Sequence, residues 1–224
     1  MSRNHRSDGP NAPQKARVRR PGCGRSEVRI VGGRWRGRKV RFPDVPGLRP
    51  SPDRVRETLF NWLASVVHGA RVLDLFAGSG VLGFEALSRG AASAVLVERD
   101  RDAARQLRDS AAALGADAAE VVEGDALAWL GPGRGSFDVV FLDPPFGTGL
   151  LEQALDRLDR PGLLSPGACI YLERPAGEGP PALPSGWVLH RSGRAGDVGY
   201  YLAVMREPGR AGEAPAPSAS DRGQ

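Results

Sequence analysis

The 224-residue sequence holds only two cysteines and three histidines, and that scarcity removes several kinds of chemistry. Cys23 and Cys169 are far apart and match no metal-ligand spacing, so neither a disulfide framework nor a zinc module is expected. Cys169 sits in the apolar run 168–172, where it reads as a buried free thiol in a protein of the reducing cytoplasm. His5 falls in a polar stretch, His68 stands where a helix should end and a cation suits its dipole, and His190 falls in an edge strand. None has a partner that equips it for catalysis or metal binding. No apolar run approaches the roughly 18 residues of a membrane span. The basic amino terminus is followed by no hydrophobic stretch, so a secretory leader is not expected either.

What is present, 41% hydrophobic and 25% charged residues, is the composition of a globular protein, and 224 residues suit one α/β domain with polar ends rather than two large domains. The net charge of +5 is unevenly spread. Residues 1–41 carry 13 Lys/Arg against two acids, whereas the rest carries 18 against 24. A basic arm on a mildly acidic body points to a polyanion partner, because neutralising phosphates releases counterions. Residues 1–26 and 207–224, rich in Arg, Pro, Gly and Ser, are expected to lack regular structure. Between them, 27–69 reads as a hairpin plus helix and 70–206 as the main domain.

Two short strands, 28–32 and 38–42, flank Gly32-Gly33-Arg34-Trp35-Arg36-Gly37. Ser51-Pro52-Asp53 then has the form of a helix start, with serine as N-cap and proline first inside. Val55, Leu59, Leu63 and Val66 recur at helical spacing and predict one buried face. From residue 71 strands alternate with helices: strands over 71–76, 94–98, 120–123, 137–143 and 168–173, helices over 81–89, 102–114, 126–130 and 149–158. Continuous apolar strands separated by helices predict a parallel sheet covered on both faces. Two last strands, 187–191 and 200–205, have no helix between them and should pair antiparallel at one edge, making seven. Trp62, Trp129 and Trp187 read as packing residues.

In such a sheet the ligand crevice lies outside the carboxyl ends of the strands, and the polar and glycine-rich strings collect there. They are Asp74-Leu75-Phe76-Ala77-Gly78-Ser79-Gly80, then Glu98, then Gly124-Asp125-Ala126, then Asp143-Pro144-Pro145-Phe146. Gly78, Gly80 and Gly83 satisfy GxGxxG, with Glu98 where a ribose-binding carboxylate belongs. That pattern predicts a nucleoside cofactor but does not separate NAD from S-adenosylmethionine. The Asp-Pro-Pro-Phe string does. An exocyclic amine on a base is a poor nucleophile, because its lone pair is delocalised into the ring. The Asp143 carboxylate and the Pro144 carbonyl can hold both amino hydrogens and favour a pyramidal nitrogen. Pro145 stiffens the turn, and Phe146 offers a stacking face worth roughly 1–3 kcal/mol per base. Alignment for in-line methyl transfer then carries the catalysis, and no metal is required.

On RIVGGRWRGRKV (29–40), LRPSPDRVRETLFNWL (48–63), LDLFAGSGVLGFEALSRGA (73–91), VERD (97–100) and DPPF (143–146), the chain resembles the bacterial small-subunit ribosomal RNA guanine-N2 methyltransferases of the RsmD type. The resemblance spans about residues 29–205. It implies a Rossmann-like class I methyltransferase fold using S-adenosyl-L-methionine, acting on 16S rRNA in an assembled or assembling small subunit. Phe76, Ala77, Gly78 and Gly80 would line the methionine part of the cofactor, with Asp74 and Ser79 in the same turn. Glu98 would bind the ribose hydroxyls, and Asp125 with Ala126 would lie at the adenine. Asp143, Pro144 and Phe146, with Pro145 between them, would hold the base. Arg108-Asp109-Ser110 stands where relatives often carry an asparagine.

Arg34, Arg36, Arg38, Lys39 and Arg41 are candidate phosphate contacts, Arg54 and Arg56 are either further contacts or solvent-facing charges, and Trp35 is either a stacking residue or part of the hairpin core. No heptad seam marks an interface, so a monomer is expected. The Asp-Pro-Pro-Phe chemistry would serve adenine N6 or cytosine N4 on DNA or other RNA as well. A non-catalytic RNA-binding assembly factor, or an NAD-dependent oxidoreductase using the same glycine turn, are the readings of another class.

Overall fold

Two sheets organise residues 25–43 and 51–206, the part of the chain described by this computed structural model. The smaller is a hairpin of β1 (Arg25–Arg29) and β2 (Lys39–Pro43), antiparallel with Val28 opposite Val40. The expected polar arm 1–26, His5 and Cys23 included, lies outside the described residues except for Arg25 and Ser26, which open β1. The expected tail 207–224 lies outside them altogether.

Helix α1 (Asp53–Trp62) buries Val55, Leu59 and Phe60, and Leu63 and Val67 continue that face beyond its end. Two expectations fail here. Ser51 makes no cap bond; its hydroxyl donates instead to a buried carboxylate at 2.5 Å, described below. Val66 is exposed rather than buried, because the chain has left the helix before reaching it.

The main sheet is built from β3 (Arg71–Asp74), β4 (Ser93–Glu98), β5 (Ala119–Glu123), β6 (Phe137–Leu142), β7 (Leu164–Pro175), β8 (Trp187–Ala195) and β9 (Val198–Met205). Its order is β5-β4-β3-β6-β7-β9-β8, parallel through β7 and antiparallel at the β7–β9 and β9–β8 pairs. The connections are α2 (Val81–Ser88), α3 (Arg101–Leu114), α4 (Ala126–Trp129) and α5 (Leu150–Leu158). The chain runs outward from β3 to β5, then returns to set β6 on the other side of β3. That reversal places a crevice over the carboxyl ends of β3 and β6.

Strand β6 shows why the apolar runs are continuous. Val139 and Phe141 face the core beneath α1, α2 and α3, while Phe137, Val140 and Leu142 face the core beneath α4 and α5. Trp129 and Trp187 are buried, and the Trp187 indole donates to Asp159 at 3.0 Å. Trp62 packs on Tyr200 with ring centroids 5.5 Å apart.

Every residue of α2 is buried, since one side meets the sheet and the other meets the turn of the hairpin. Glu85 fixes this contact: its carboxylate accepts from the Val31 and Gly32 N–H groups at 2.8 and 2.7 Å and pairs with Arg89 at 2.8 Å. Ser88 accepts from the Trp35 N–H and donates to the Gly32 carbonyl. Gly33 has a φ of +72°, and a β-carbon there would strike the Ser88 carbonyl, so both conformation and space demand glycine. Among the described residues no helix is long and apolar enough to cross a membrane.

Candidate active site

Four neighbouring strands end on acids: Glu98 on β4, Asp74 on β3, Asp143 just past β6 and Glu173 near the end of β7. The first two sit beside the glycine turn. Asp74 is buried and accepts from the Gly83 N–H at 3.1 Å. Burial, and after it the negative Glu98, push its carboxyl up to about 7 against the pull of that N–H. Glu98 reaches back over the turn, one oxygen accepting from the Gly78 N–H and the other from the Asp100 N–H, each at 2.8 Å.

The turn between β3 and α2 depends on two left-handed glycines, Gly78 at φ +51° and Gly80 at φ +72°. They are not equivalent. Gly78 is half-buried at the rim, beside half-buried Phe76. Gly80 is buried, a β-carbon there would strike Leu107, and its N–H is taken by the Ala77 carbonyl at 2.6 Å. At Gly80 it is packing against Leu107, together with the positive φ, that demands glycine. Ala77 and Ser79 are also buried, the Ala77 N–H donating to the Val97 carbonyl and the Ser79 hydroxyl accepting from Val81. Beyond β5, Asp125 caps α4 by accepting from the Ala128 N–H at 2.8 Å, and Ala126 is buried behind it. Gly124 faces open space, with no atom within 4 Å of where a β-carbon would stand. Half-buried Phe76 and Gly78, the Glu98 carboxylate and the open space at Gly124 thus stand together at the carboxyl ends of β3, β4 and β5, where a carboxylate acceptor suits ribose hydroxyls and Phe76 suits an apolar group.

The other half is made by Asp143-Pro144-Pro145-Phe146. Pro144 is buried, Thr148 donates to the Pro145 carbonyl at 2.7 Å, and Gly147 and Gly149 turn the chain into α5 with φ of +74° and +68°. Phe146 is 45% exposed, which is unusual for a phenylalanine and leaves its ring face available. A cavity of about 240 Å³ lies against this turn, lined by Pro144, Phe146, Leu151, Glu173 and Arg174 among others. Burial, then the negative charges of Glu173 and Asp74, lift the Asp143 carboxyl well above the ordinary carboxylate range.

Glu173 lines the same cavity as Pro144 and Phe146, though the sequence alone presents it only as a strand end. It is 5% exposed and accepts from the Ser51 hydroxyl at 2.5 Å and the Tyr171 hydroxyl at 2.8 Å, both on the same oxygen. Burial raises its carboxyl too, while those two donors oppose the rise. An acid closing an apolar strand, as in Cys169–Glu173, is the signal that could have found it; Asp74, Glu98 and Asp143 carry the same signal.

The candidate RNA contacts divide. Arg34, Arg36, Arg38, Lys39 and Arg54 are exposed. Lys39 pairs with Glu27 at 2.7 Å, Arg38 donates to the Ala113 carbonyl, and the Arg34 guanidinium lies 4.1 Å over the Trp35 ring. Trp35 and Arg56 must be corrected. Trp35 is 7% exposed and belongs to the core under the hairpin, so no base can stack on it. Arg56 has no exposed surface; it pairs with Asp53 at 2.5 Å and donates to the Arg29 carbonyl, so it cannot reach a phosphate. No group of three or more His, Cys, Asp or Glu side chains among the described residues is arranged to hold a metal. A second cavity, about 280 Å³, opens at the amino ends of β3, β6 and β7 beside His68 and Asp138, away from these groups.

Comparison with known proteins gives the family of the chain. Residues 28–204 match the family model described as Conserved hypothetical protein 95. The chain is 51% identical over 179 residues to Ribosomal RNA small subunit methyltransferase D of Escherichia coli K12, covering 80% of this chain and 90% of that protein. It is 44% identical over 182 residues to the Haemophilus influenzae protein of the same name, covering 80% and 94%. The solved structure of the Escherichia coli protein yhhF superposes with a TM-score of 0.76 at 48% identity, over 81% of this chain and 99% of that one.

Proposed function

The chain belongs to the Conserved hypothetical protein 95 family, that of the small-subunit ribosomal RNA methyltransferases D, and from that premise we propose that it methylates the N2 amine of a guanine in small-subunit ribosomal RNA. The methyl donor is S-adenosyl-L-methionine, whose sulfonium carries an electrophilic methyl group. The observation that supports the reading is the placement of Asp143-Pro144-Pro145-Phe146 across the switch point from the Gly78–Glu98 crevice, with Phe146 open to solvent.

In this reading Glu98, already shaped by the backbone N–H groups of Gly78 and Asp100, accepts from the ribose hydroxyls. Phe76, Gly78 and the rim at Gly124 and Asp125 border the rest of the cofactor. Asp74, buried behind them, holds the glycine turn in place by accepting from the Gly83 N–H. The target base stacks on Phe146, and its amino hydrogens go to the Asp143 carboxylate and the Pro144 carbonyl. Fixing both hydrogens turns the nitrogen lone pair toward the methyl group, and holding the reactants aligned can account for several kcal/mol of barrier. The exposed Arg34, Arg36, Arg38 and Arg54 grip phosphates and hold the RNA in register.

The test is transfer from labelled S-adenosylmethionine to small subunits that lack native base methylation, followed by digestion to nucleosides and mass spectrometry. Label in N2-methylguanosine, lost with Asp143→Ala, is the expected result. Label in methyladenosine or methylcytidine would overturn the target base. Ribosome assembly that needs the protein yet survives Asp143→Ala, with no label transferred, would favour a non-catalytic role.

A further inference from the structure

Glu173 takes no part in the chemistry just described, yet it lines the same cavity as Pro144 and Phe146. It also stands beside Asp143. Leu142 of β6 pairs with Leu172 of β7, so the next residue on each strand is Asp143 and Glu173 respectively. Neighbouring strands lie about 4.8 Å apart, which is the scale of a base's hydrogen-bonding edge.

The edge that a guanine presents beside its amine has a particular pattern. N1 carries a hydrogen, so guanine offers donors at N1 and N2 together. N1 of adenine and N3 of cytosine carry lone pairs instead. Enzymes that act on a flipped base read this edge by hydrogen bonds. Two acceptors side by side match guanine and oppose the other two.

Resting on the guanine reading above, we propose that Glu173 is the residue that selects guanine, its carboxylate accepting the N1–H while Asp143 and the Pro144 carbonyl take the N2 hydrogens. Ser51 and Tyr171 both donate to one Glu173 oxygen, and no described residue donates to the other. This fixes the rotamer and, among the described residues, leaves one oxygen as an acceptor. A structural tie between the start of α1 and the sheet needs only that first oxygen, and an amide would supply it without the cost of burying a charge. The second carboxylate oxygen is what an amide cannot replace. A base with a bare N1 would set its lone pair against that oxygen, which is rejection by repulsion as well as by loss of a bond.

The test uses small subunits in which the mapped target nucleotide is either guanosine or 2-aminopurine riboside, which keeps the amine but has a bare N1. The wild-type enzyme is expected to favour guanosine by about 30-fold or more in kcat/KM, the order of a charge-assisted hydrogen bond. Glu173→Gln keeps a carbonyl for Ser51 and Tyr171 and turns an N–H toward N1. It should lose rate on guanosine and gain on 2-aminopurine, closing most of that gap while S-adenosylmethionine affinity measured by calorimetry stays unchanged. Equal wild-type rates on the two RNAs would overturn the proposal, and this holds even if the variant fails to fold. So would a folded Glu173→Gln that keeps the full wild-type preference. A wild-type enzyme that leaves the guanosine RNA unmethylated would instead remove the underlying guanine reading.

Discussion

The two halves of the crevice are built by different means. Over β3 and β4 the bonds are local in the chain: Asp125 caps its own helix, Asp74 reaches Gly83 nine residues on, and Glu98 grips Gly78 and Asp100 through the backbone. Over β6 and β7 they are not. Glu173 is held by Ser51 from 122 residues away and bears on Asp143 from the next strand. A backbone turn with a carboxylate lock can be written in a short string of residues, whereas a side-chain network between layers exists only once the sheet has assembled. The first half is therefore suited to a constant cofactor, and the second to discriminating a substrate.

The sharpest way to separate the halves is to break one and read the other. Asp143→Ala removes an acceptor of the amine and should lower kcat by about a thousandfold, within the range for a positioned group at the reacting centre. Cofactor affinity by calorimetry should change by less than about threefold, because Asp143 is assigned to the amine of the base and the ribose acceptor Glu98 is untouched. A comparable loss of cofactor affinity would mean that the halves are not separable. Glu98→Ala should do the reverse. It frees the N–H groups of Gly78 and Asp100 and removes the ribose acceptor, so S-adenosylmethionine should bind about 10–100-fold more weakly, at about 1.5–3 kcal/mol for bonds to a charged group. With saturating cofactor, kcat should recover to within a few fold.

How much of the molecule is legible in the sequence follows the same division. The alternation of β3 to β7 with helices is legible because both faces of the sheet are covered, as in the apolar and buried run Val139–Leu142 of β6. The glycine turn, the Asp-Pro-Pro-Phe string and the edge pair β8–β9 are legible for local reasons. Ser51 misleads because Ser-Pro-Asp is a good capping string, and a buried carboxylate competes for its hydroxyl and wins. Trp35 misleads because an aromatic among arginines has the same sequence whether its ring faces water or α2. What seats it is Ser88, 53 residues away, which takes its N–H. Arg56, on the face of α1 that packs inward, has the same lack of local signal.

The buried acid of the first half gives a stability test with a defined sign. Asp74 keeps its proton in the folded protein up to about pH 7, whereas its ordinary carboxylate value is 3.8. The stability tied to the protonated form is complete below the ordinary value and is lost as pH rises through about 7. Asp74→Asn cannot ionise and still offers an acceptor to Gly83. The variant should therefore gain on the wild type as pH is raised from 4 to 7, with the gap flat above about 8. One pK unit is about 1.4 kcal/mol, and at about 2–4 °C per kcal/mol the Tm difference should reach several degrees. A gap that narrows with rising pH would mean that Asp74 is ionised in the fold.

The smallest effect is expected outside the crevice, on the exposed side of the hairpin. Trp35 and Arg56 face inward, and Lys39 and Arg41 are paired with Glu27, so the cations of the hairpin turn without a carboxylate partner among the described residues are Arg34, Arg36 and Arg38. These three are not alike: Arg36 is exposed, Arg38 bonds the Ala113 carbonyl, and Arg34 lies over the Trp35 ring. Replacing all three by glutamine keeps the polar surface and removes only charge. For each phosphate that an arginine no longer neutralises, the slope of log affinity against log salt should fall by about 0.7 on single-stranded RNA. A drop of about 2 therefore means that all three touch phosphate, and a drop of about 0.7 singles out one, with Arg36 the least encumbered. Surface substitutions of this kind usually change stability by about 0.5 kcal/mol or less, so the melting temperature should hold while the slope falls. An unchanged slope would detach these three arginines from RNA and turn attention to Lys39, Arg41 and Arg54 and to the positive charge of residues 1–24.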